Sequence, residues 1–144
     1  MFIGEYAHSI DKKGRMIVPA KFREQLGATI IVTKGLDHCL AIYTLSEWDK
    51  MYQKLITLPS NKKEVRMFVR MLTSKAAECE IDAQGRILIP APLIKEAGLE
   101  KDCIITGNLS KVEVWSKECW DEYNEQSSEE FEKAAESIED YGNY

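Results

Sequence analysis

Histidine is nearly absent from this chain of 144 residues: His8 and His38 are the only two. With so few imidazoles, most acid–base and zinc chemistry has no carrier. His38 and Cys39, read as neighbours on a strand, point to opposite faces and make no nucleophile–base pair. They also lack partners at metal-ligand spacing. There is no GxSxG, HExxH, P-loop or GxGxxG, and the Asp-x-x-Gly-Arg stretches lack the later acids of a calcium loop. Catalysis, a metal, a cofactor and a small-molecule substrate are therefore not expected. No apolar run exceeds a few residues, so no membrane-spanning segment is expected. The opening MFIGEYAHSIDKKGR lacks the pattern of a secretion signal, which points to the cytoplasm. There the four cysteines, Cys39, Cys79, Cys103 and Cys119, none in a CxxC, are expected as reduced, small core residues.

What is present is an ordinary globular balance, 44% hydrophobic and 30% charged. A chain of this size buries about 68–70% of its unfolded surface and needs no staple. The net charge of −5 is unevenly spread. Residues 117 to 144 hold ten acids against Lys117 and Lys133, a net of −8, which leaves +3 on the first 116 residues. Basic side chains gather at Lys12, Lys13, Arg15, Lys21 and Arg23, and again at Lys62, Lys63, Arg66 and Arg70. A basic body with an acidic end fits an anion-binding face. The second cluster reads as the solvated face of a helix, with contact to DNA or to a neighbour's acidic tail as the alternative.

The chain also repeats itself. Asp11-Lys-Lys-Gly14-Arg15-Met-Ile-Val-Pro19-Ala20 returns 71 positions later as Asp82-Ala-Gln-Gly85-Arg86-Ile-Leu-Ile-Pro90-Ala91, with Asp, Gly, Arg, Pro and Ala in register. Gly27 returns as Gly98, Ile31-Val32-Thr33 as Ile104-Ile105-Thr106, and Trp48 as Trp120. Two copies of a unit of about 60 residues follow, each too small to bury its own core.

Each unit reads as strand, turn, strand, helix, strand, strand. In the first copy the spacing predicts strands over Glu5 to Ile10, Arg15 to Val18, Thr29 to Lys34 and Cys39 to Thr44. Asp-x-x-Gly is a tight turn, its carboxylate taking amides two or three residues on and its glycine supplying positive φ. Pro19 at the first helical position and Gly27 as cap bracket a helix over Ala20 to Leu26, and Pro90 and Gly98 bracket its counterpart. Ser46 is expected to cap a helix that aligns Trp48, Met51, Tyr52 and Leu55 on one face. Leu58 to Asn61 break it, and Val65, Phe68, Val69 and Leu72 form a second stripe. A last helix from about Ser116 carries Trp120, Tyr123, Phe131 and Ile138 and is expected to fray over Glu139 to Tyr144. Such short strands leave open edges, which two copies can close by interleaving into a small barrel. The extra helices then cover it or pack on a neighbouring chain.

The two Asp-x-x-Gly-Arg-x-x-x-Pro-Ala turns, the opening Met-Phe-x-Gly-Glu-Tyr, Thr-Lys-Gly-Leu-Asp-x-Cys-Leu and Val-Trp-Ser-Lys-x-x-Trp together resemble the MraZ family of bacterial transcriptional regulators. The likeness runs from residue 1 to about 130, and one turn alone would suggest only the wider AbrB-like group of swapped-hairpin DNA-binding proteins. The resemblance implies an α+β, mainly β fold: two tandem swapped-hairpin modules in a pseudo-symmetric barrel with peripheral helices. The boundaries are residues 1–61 for the first module, 62–75 for a connecting helix, 76–120 for the second module and 121–144 for an acidic C-terminal helix and tail. It implies a ring-shaped homo-oligomer, a nucleoid location and binding of double-stranded DNA at short direct repeats upstream of the division and cell-wall genes. Its DNA contacts would fall in the turns Asp11 to Arg15 and Asp82 to Arg86.

The residues themselves admit that role. Lys12 and Lys13 project at a turn tip, where each can neutralise a phosphate. Arg15 and Arg86 can offer a planar fork to guanine or phosphate, or pair with Asp11 and Asp82 and brace the hairpin; both roles can coexist. Gln84 can read adenine or be a solvated tip residue. Asp11, Gly14, Asp82 and Gly85 brace the turns. The copies differ at their tips, Lys12-Lys13 against Ala83-Gln84. The rival readings are an antitoxin-like DNA-binding module that holds a partner with its tail and a non-catalytic scaffolding ring.

Overall fold

The computed structural model describes residues 1–142; Asn143 and Tyr144, the end of the expected frayed tail, lie outside the described residues. The first copy comprises β1 (Glu5–Ser9), β2 (Arg15–Ile17), α1 (Ala20–Leu26), β3 (Thr29–Lys34), β4 (Leu40–Thr44) and α2 (Leu45–Leu55). Helix α3 (Lys63–Ser74) leads into β5 (Ala77–Glu80), β6 (Arg86–Leu88), α4 (Ala91–Glu96), β7 (Asp102–Asn108) and β8 (Lys111–Ser116). The long α5 (Lys117–Ile138) and a 3-10 turn at Glu139–Tyr141 follow.

A six-stranded sheet runs in the order β1-β7-β8-β4-β3-β5, and β2 and β6 form a separate two-stranded ribbon. Every strand of the first copy has an antiparallel neighbour in the second: β1 with β7, β2 with β6, β3 with β5 and β4 with β8. This α+β fold thus interleaves its two repeats, and the order reads the same when they are exchanged. The edges that each unit leaves open are covered by the other, with β1 and β5 at the ends of the larger sheet.

Strands β3 and β4 are buried along most of their length because both faces are covered. Ile30, Val32, Leu40 and Ile42 turn into the main core together with Met16, Val18, Ile87, Ile89, Cys103 and Ile105, so that core draws on both copies. On the other face, Ile31, Ala41 and Tyr43 meet Trp48 and Met51 of α2, and Ile104 and Trp115 meet Cys119 and Trp120 of α5. Helix α1 buries Phe22 and Leu26. Phe22 takes Phe2 and Tyr6 edge-on at 5.6 and 5.2 Å between ring centroids, a geometry that adds about 0.5–1.5 kcal/mol per pair.

Several local expectations need correction. The cap of α2 is Thr44, not Ser46: its hydroxyl accepts from Glu47 N–H at 3.0 Å. The reason is that β4 runs into α2 with no loop, so its last, extended residue takes the cap. Ser116 caps α5 in the same way, accepting from Cys119 N–H at 3.1 Å. Pro19 and Pro90 stand one position before their helices rather than inside them. The Pro19 carbonyl accepts from Phe22 and Arg23. Gly98, with φ +61°, follows the cap residue Ala97. His38 is not on a strand; with Asp37 it holds positive φ in the loop before β4.

The helical stripes are only partly used. Among the residues of α2 and α3 only Leu72 is buried, while Tyr52, Met67, Phe68 and Met71 are exposed. Helix α5 rests on Trp115 through Trp120 and Tyr123, at 5.2 and 5.0 Å, and leaves Phe131 exposed. Cys39, Cys79 and Cys103 are buried free thiols and Cys119 is half-buried. Burial pushes all three buried thiols above their ordinary range, Cys103 to about 11.

One hydroxyl pair separates the halves. Thr33 donates to the Leu72 carbonyl of α3 at 2.6 Å, whereas its counterpart Thr106 is buried with its hydroxyl unpartnered among the described residues. Thr33→Val should lower unfolding free energy by about 1–3 kcal/mol, because it strands a buried carbonyl. Thr106→Val should be neutral or stabilising. Denaturant unfolding of both variants beside the wild type checks the contrast.

Candidate nucleic-acid interface

The two repeated motifs build two nearly identical turns. In the first, Gly14 N–H donates to the Asp11 carbonyl at 3.0 Å and Asp11 N–H donates to the Arg15 carbonyl at 2.9 Å. The Asp11 carboxylate organises the rest. Oδ1 accepts from the backbone N–H of Lys13 and of Arg15, both at 2.9 Å, and Oδ2 accepts from Arg15 Nε at 2.8 Å. The amides engaged are therefore two and four residues on, not two and three, because the amide three residues on, that of Gly14, is taken by the Asp11 main-chain carbonyl. Asp82 repeats the pattern with Gln84 N–H, Arg86 N–H and Arg86 Nε, each at 2.9 Å. Gly14 and Gly85 hold φ of +86° and +79°, where a β-carbon costs about 1–2 kcal/mol.

Each turn is fastened to the other copy. The Gly85 carbonyl accepts from Val18 N–H at 2.8 Å, and the Gly14 carbonyl accepts from Ile89 N–H at 2.9 Å. Ile10 N–H donates to Lys101 and Ile81 N–H to Ala28 in a matching exchange. The side chains follow: Ile94 of α4 lies over Gly14, and Arg23 of α1 lies over Gly85.

Between the turns runs the ribbon, with Arg15 opposite Leu88, Met16 opposite Ile87 and Ile17 opposite Arg86. Met16 and Ile87 are buried, whereas Ile17 and Leu88 are 44% and 59% exposed. By the alternation of a strand, Arg15, Ile17, Arg86 and Leu88 share the outer face. The register sets the two arginines about 7 Å apart along the ribbon and one strand spacing, about 5 Å, across it. The turns stand at its opposite ends. Lys12 and Lys13 are exposed at one tip, Ala83 and Gln84 at the other.

The bracing of the arginines engages only one nitrogen of each guanidinium. Asp11 and Asp82 hold Arg15 and Arg86 through Nε, which leaves the two terminal nitrogens of each guanidinium for a ligand. The side chains of Arg15 and Arg86 are 36% and 32% exposed. Tethered at Nε, each presents its terminal N–H groups with fewer rotamers to lose on binding. A planar pair of donors suits guanine O6 and N7 or two phosphate oxygens.

The structure thus gathers Lys12, Lys13, Arg15, Gln84 and Arg86, with Asp11, Gly14, Asp82 and Gly85 beneath them, on one ribbon. The second basic cluster lies elsewhere. Arg66 and Arg70 are exposed on α3, Arg66 donates to the Ser60 carbonyl at 3.1 Å, and Lys62 precedes the helix. The motif reading missed Ile17, Leu88 and Arg23. The alternation of Arg15-Met16-Ile17 already marks Ile17 as outward. Arg23 is legible only as a member of the first basic cluster, since its place over Gly85 depends on packing between the copies. Among the described residues no group of three or more His, Cys, Asp or Glu is placed to hold a metal ion, and no helix is long and apolar enough to cross a membrane.

These features define a class first: a doubled α+β protein whose repeats interleave around one core and share an outward two-stranded ribbon with a braced cationic turn at each end. The chain belongs to the MraZ family. The family described as "MraZ protein, putative antitoxin-like" matches it twice, over residues 1–71 and 72–140. Proteins named Transcriptional regulator MraZ are similar along nearly their whole length. That of Thermoanaerobacter sp. (strain X514) is 53% identical over 140 residues, 97% of this chain and 98% of its own. That of Desulfitobacterium hafniense (strain Y51) is 52% identical over 142 residues, 99% of each chain. That of Pediococcus pentosaceus is 49% identical over 142 residues, again 99% of each. It is a family of named regulators and not of enzymes.

The turn carboxyls carry a pH signature. The backbone N–H of Arg15, then its side chain and the Lys13 N–H, hold Asp11 below the ordinary carboxylate range; Arg86 and Gln84 do the same for Asp82. A carboxyl depressed in the folded state contributes stability that is present above its unfolded value and lost as pH falls through its folded value. Both carboxyls should therefore titrate below model-peptide aspartate in a carbon-detected NMR titration. Arg15→Ala should move Asp11 upward only in part, because the backbone donors remain.

Proposed function

We propose that this chain is a sequence-specific DNA-binding regulator of transcription that reads a duplex through the β2–β6 ribbon. The observation that carries this reading is the pair of partly exposed guanidiniums on one ribbon face, each tethered at Nε with its terminal nitrogens unpartnered among the described residues. A two-stranded ribbon fits the major groove. Arg15 and Arg86 would supply bidentate base or phosphate contacts, Lys12 and Lys13 would neutralise phosphates, and Gln84 would contact a base edge from the second tip. Ile17 and Leu88 stand between the arginines, where apolar side chains can meet thymine methyl groups.

The relatives are named as transcriptional regulators, and that activity is carried over to this chain on its site. Its targets would be short direct repeats upstream of the division and cell-wall genes, and its place the cytoplasm, on the nucleoid. One chain offers few contacts: two to four phosphates would give a salt slope of about −0.9 for each. Affinity would come from a ring of copies engaging several repeats, since tethering raises avidity by about 10²–10⁴. The uncovered apolar residues Met67, Phe68 and Met71 of α3 support self-association. Within each chain, residues 1–61 and 76–120 would be the two swapped-hairpin modules of a pseudo-symmetric barrel, 62–75 their connecting helix, and 121–144 the acidic helix and tail.

Footprinting and gel-shift titration on DNA from upstream of the chain's own coding sequence test the reading. Arg15→Ala and Arg86→Ala should each weaken specific binding by about 1–3 kcal/mol per contact, roughly 5- to 150-fold, at unchanged assembly mass. Equal binding by wild type and double variant would refute it, as would equal affinity for a scrambled duplex.

A further inference from the structure

The repeat makes one asymmetry visible. Over Gly14 of the first turn lies Ile94 of α4, its Cδ1 3.1 Å from where a β-carbon on that glycine would stand. The residue in register with Ile94 in the first copy is Arg23 of α1. Its guanidinium occupies the matching place over Gly85, with Cζ and Nε 2.6 and 2.9 Å from such a carbon. The same clasp therefore holds a plain hydrocarbon in one half and a cation in the other. Packing alone does not call for the cation, since isoleucine performs that task over Gly14. The cation is also poorly accommodated. Its Nε is buried with no hydrogen-bond partner, and among the described residues no carboxylate pairs with it. Arg23 as a whole remains partly exposed, and one terminal nitrogen lies against Gly85. The turn it lies against is the one with no cation at its tip, Ala83-Gln84 in place of Lys12-Lys13.

We propose that Arg23 is a phosphate-contacting residue of the second turn, supplied across the ribbon by the first copy. It replaces at that end the charge that Lys12 and Lys13 provide at the other, and this inference rests on the DNA-binding reading above. A bound phosphate oxygen would give the guanidinium the charge-assisted hydrogen bonds that it lacks within the protein. Both ends of the ribbon would then grip the backbone, one through lysines on the turn itself and one through an arginine behind it, and the paired arginines would be centred over the groove.

The test is the salt dependence of binding to the same upstream duplex, for the wild type, Arg23→Ile, Arg23→Lys and Arg23→Ile combined with Ala83→Lys, with assembly mass and thermal unfolding recorded. Arg23→Ile installs the residue that the fold already uses over Gly14. It should keep the mass, weaken binding, and reduce the slope of log affinity against log salt by about 0.9 for each second turn engaged. Arg23→Lys should keep the slope, and Ala83→Lys should restore it to the isoleucine variant. Arg23→Gln, neutral and polar, carries the same expectation as Arg23→Ile and decides the matter if the isoleucine variant does not assemble. A wild-type slope in the neutral variants would overturn the proposal, as would weaker binding at unchanged slope with a lowered unfolding temperature, the mark of a packing role. A wild type that binds no duplex would instead overturn the DNA-binding reading itself.

Discussion

Four backbone hydrogen bonds tie each copy of the repeat to the turn or strand end of the other: Val18 to Gly85, Ile89 to Gly14, Ile10 to Lys101 and Ile81 to Ala28. Their reciprocity limits what either half can do alone. Gly14 and Gly85 present their carbonyls only in the conformation that positive φ provides. The amides that reach them belong to the residues just before Pro19 and Pro90. That placement follows from the β2–β6 ladder, whose partners come from different copies. A single unit has neither ladder nor clasp, and half of its core residues are missing. The interleaved sheet, the shared core and the outward ribbon are consequences of the same exchange.

The exchange also separates rigidity from chemistry on the ribbon. Inward residues Met16 and Ile87 are packed in the core, so the backbone cannot slide by one position without turning them outward. Outward residues Arg15, Ile17, Arg86 and Leu88 are thereby held on one face at a set spacing. Each aspartate then removes most of the freedom of its arginine while engaging only Nε. An aspartate that bound the terminal nitrogens would have closed the site; one that bound nothing would have left a flexible cation with more entropy to lose.

Symmetry and its breaking divide the labour further. Strand order, N-terminal helix caps, turn bonds and backbone clasps return in both halves. The departures cluster where a ligand would be met: the lysine tip against the Ala83-Gln84 tip, and Arg23 against Ile94. A third departure, Thr33 paired and Thr106 unpaired, traces to α3, which follows the first copy and has no counterpart after the second. The same helix leaves Met67, Phe68 and Met71 uncovered.

Much of this was legible from one dimension because the repeat is written in residue types with narrow conformational roles. Asp, Gly, Arg and Pro at fixed spacing specify a turn, a strand start and a helix start from local sterics and short-range hydrogen bonds. The helix over Ala20–Leu26 and the strand over Thr29–Lys34 stand where the residues put them. Local rules failed at junctions: Thr44 caps α2 in place of Ser46 because strand and helix are fused, and His38 sits in a positive-φ loop. Which strands pair could not be read, since hydrogen bonding between copies depends on the whole chain closing on itself. Arg23 over Gly85, the burial of Gly14 beneath Ile94, and the joining of Ile17 and Leu88 into one face with the two arginines were decided only in three dimensions. They depend on contacts between residues some 60 to 80 positions apart, and nothing in the neighbourhood of either partner encodes the distance between them.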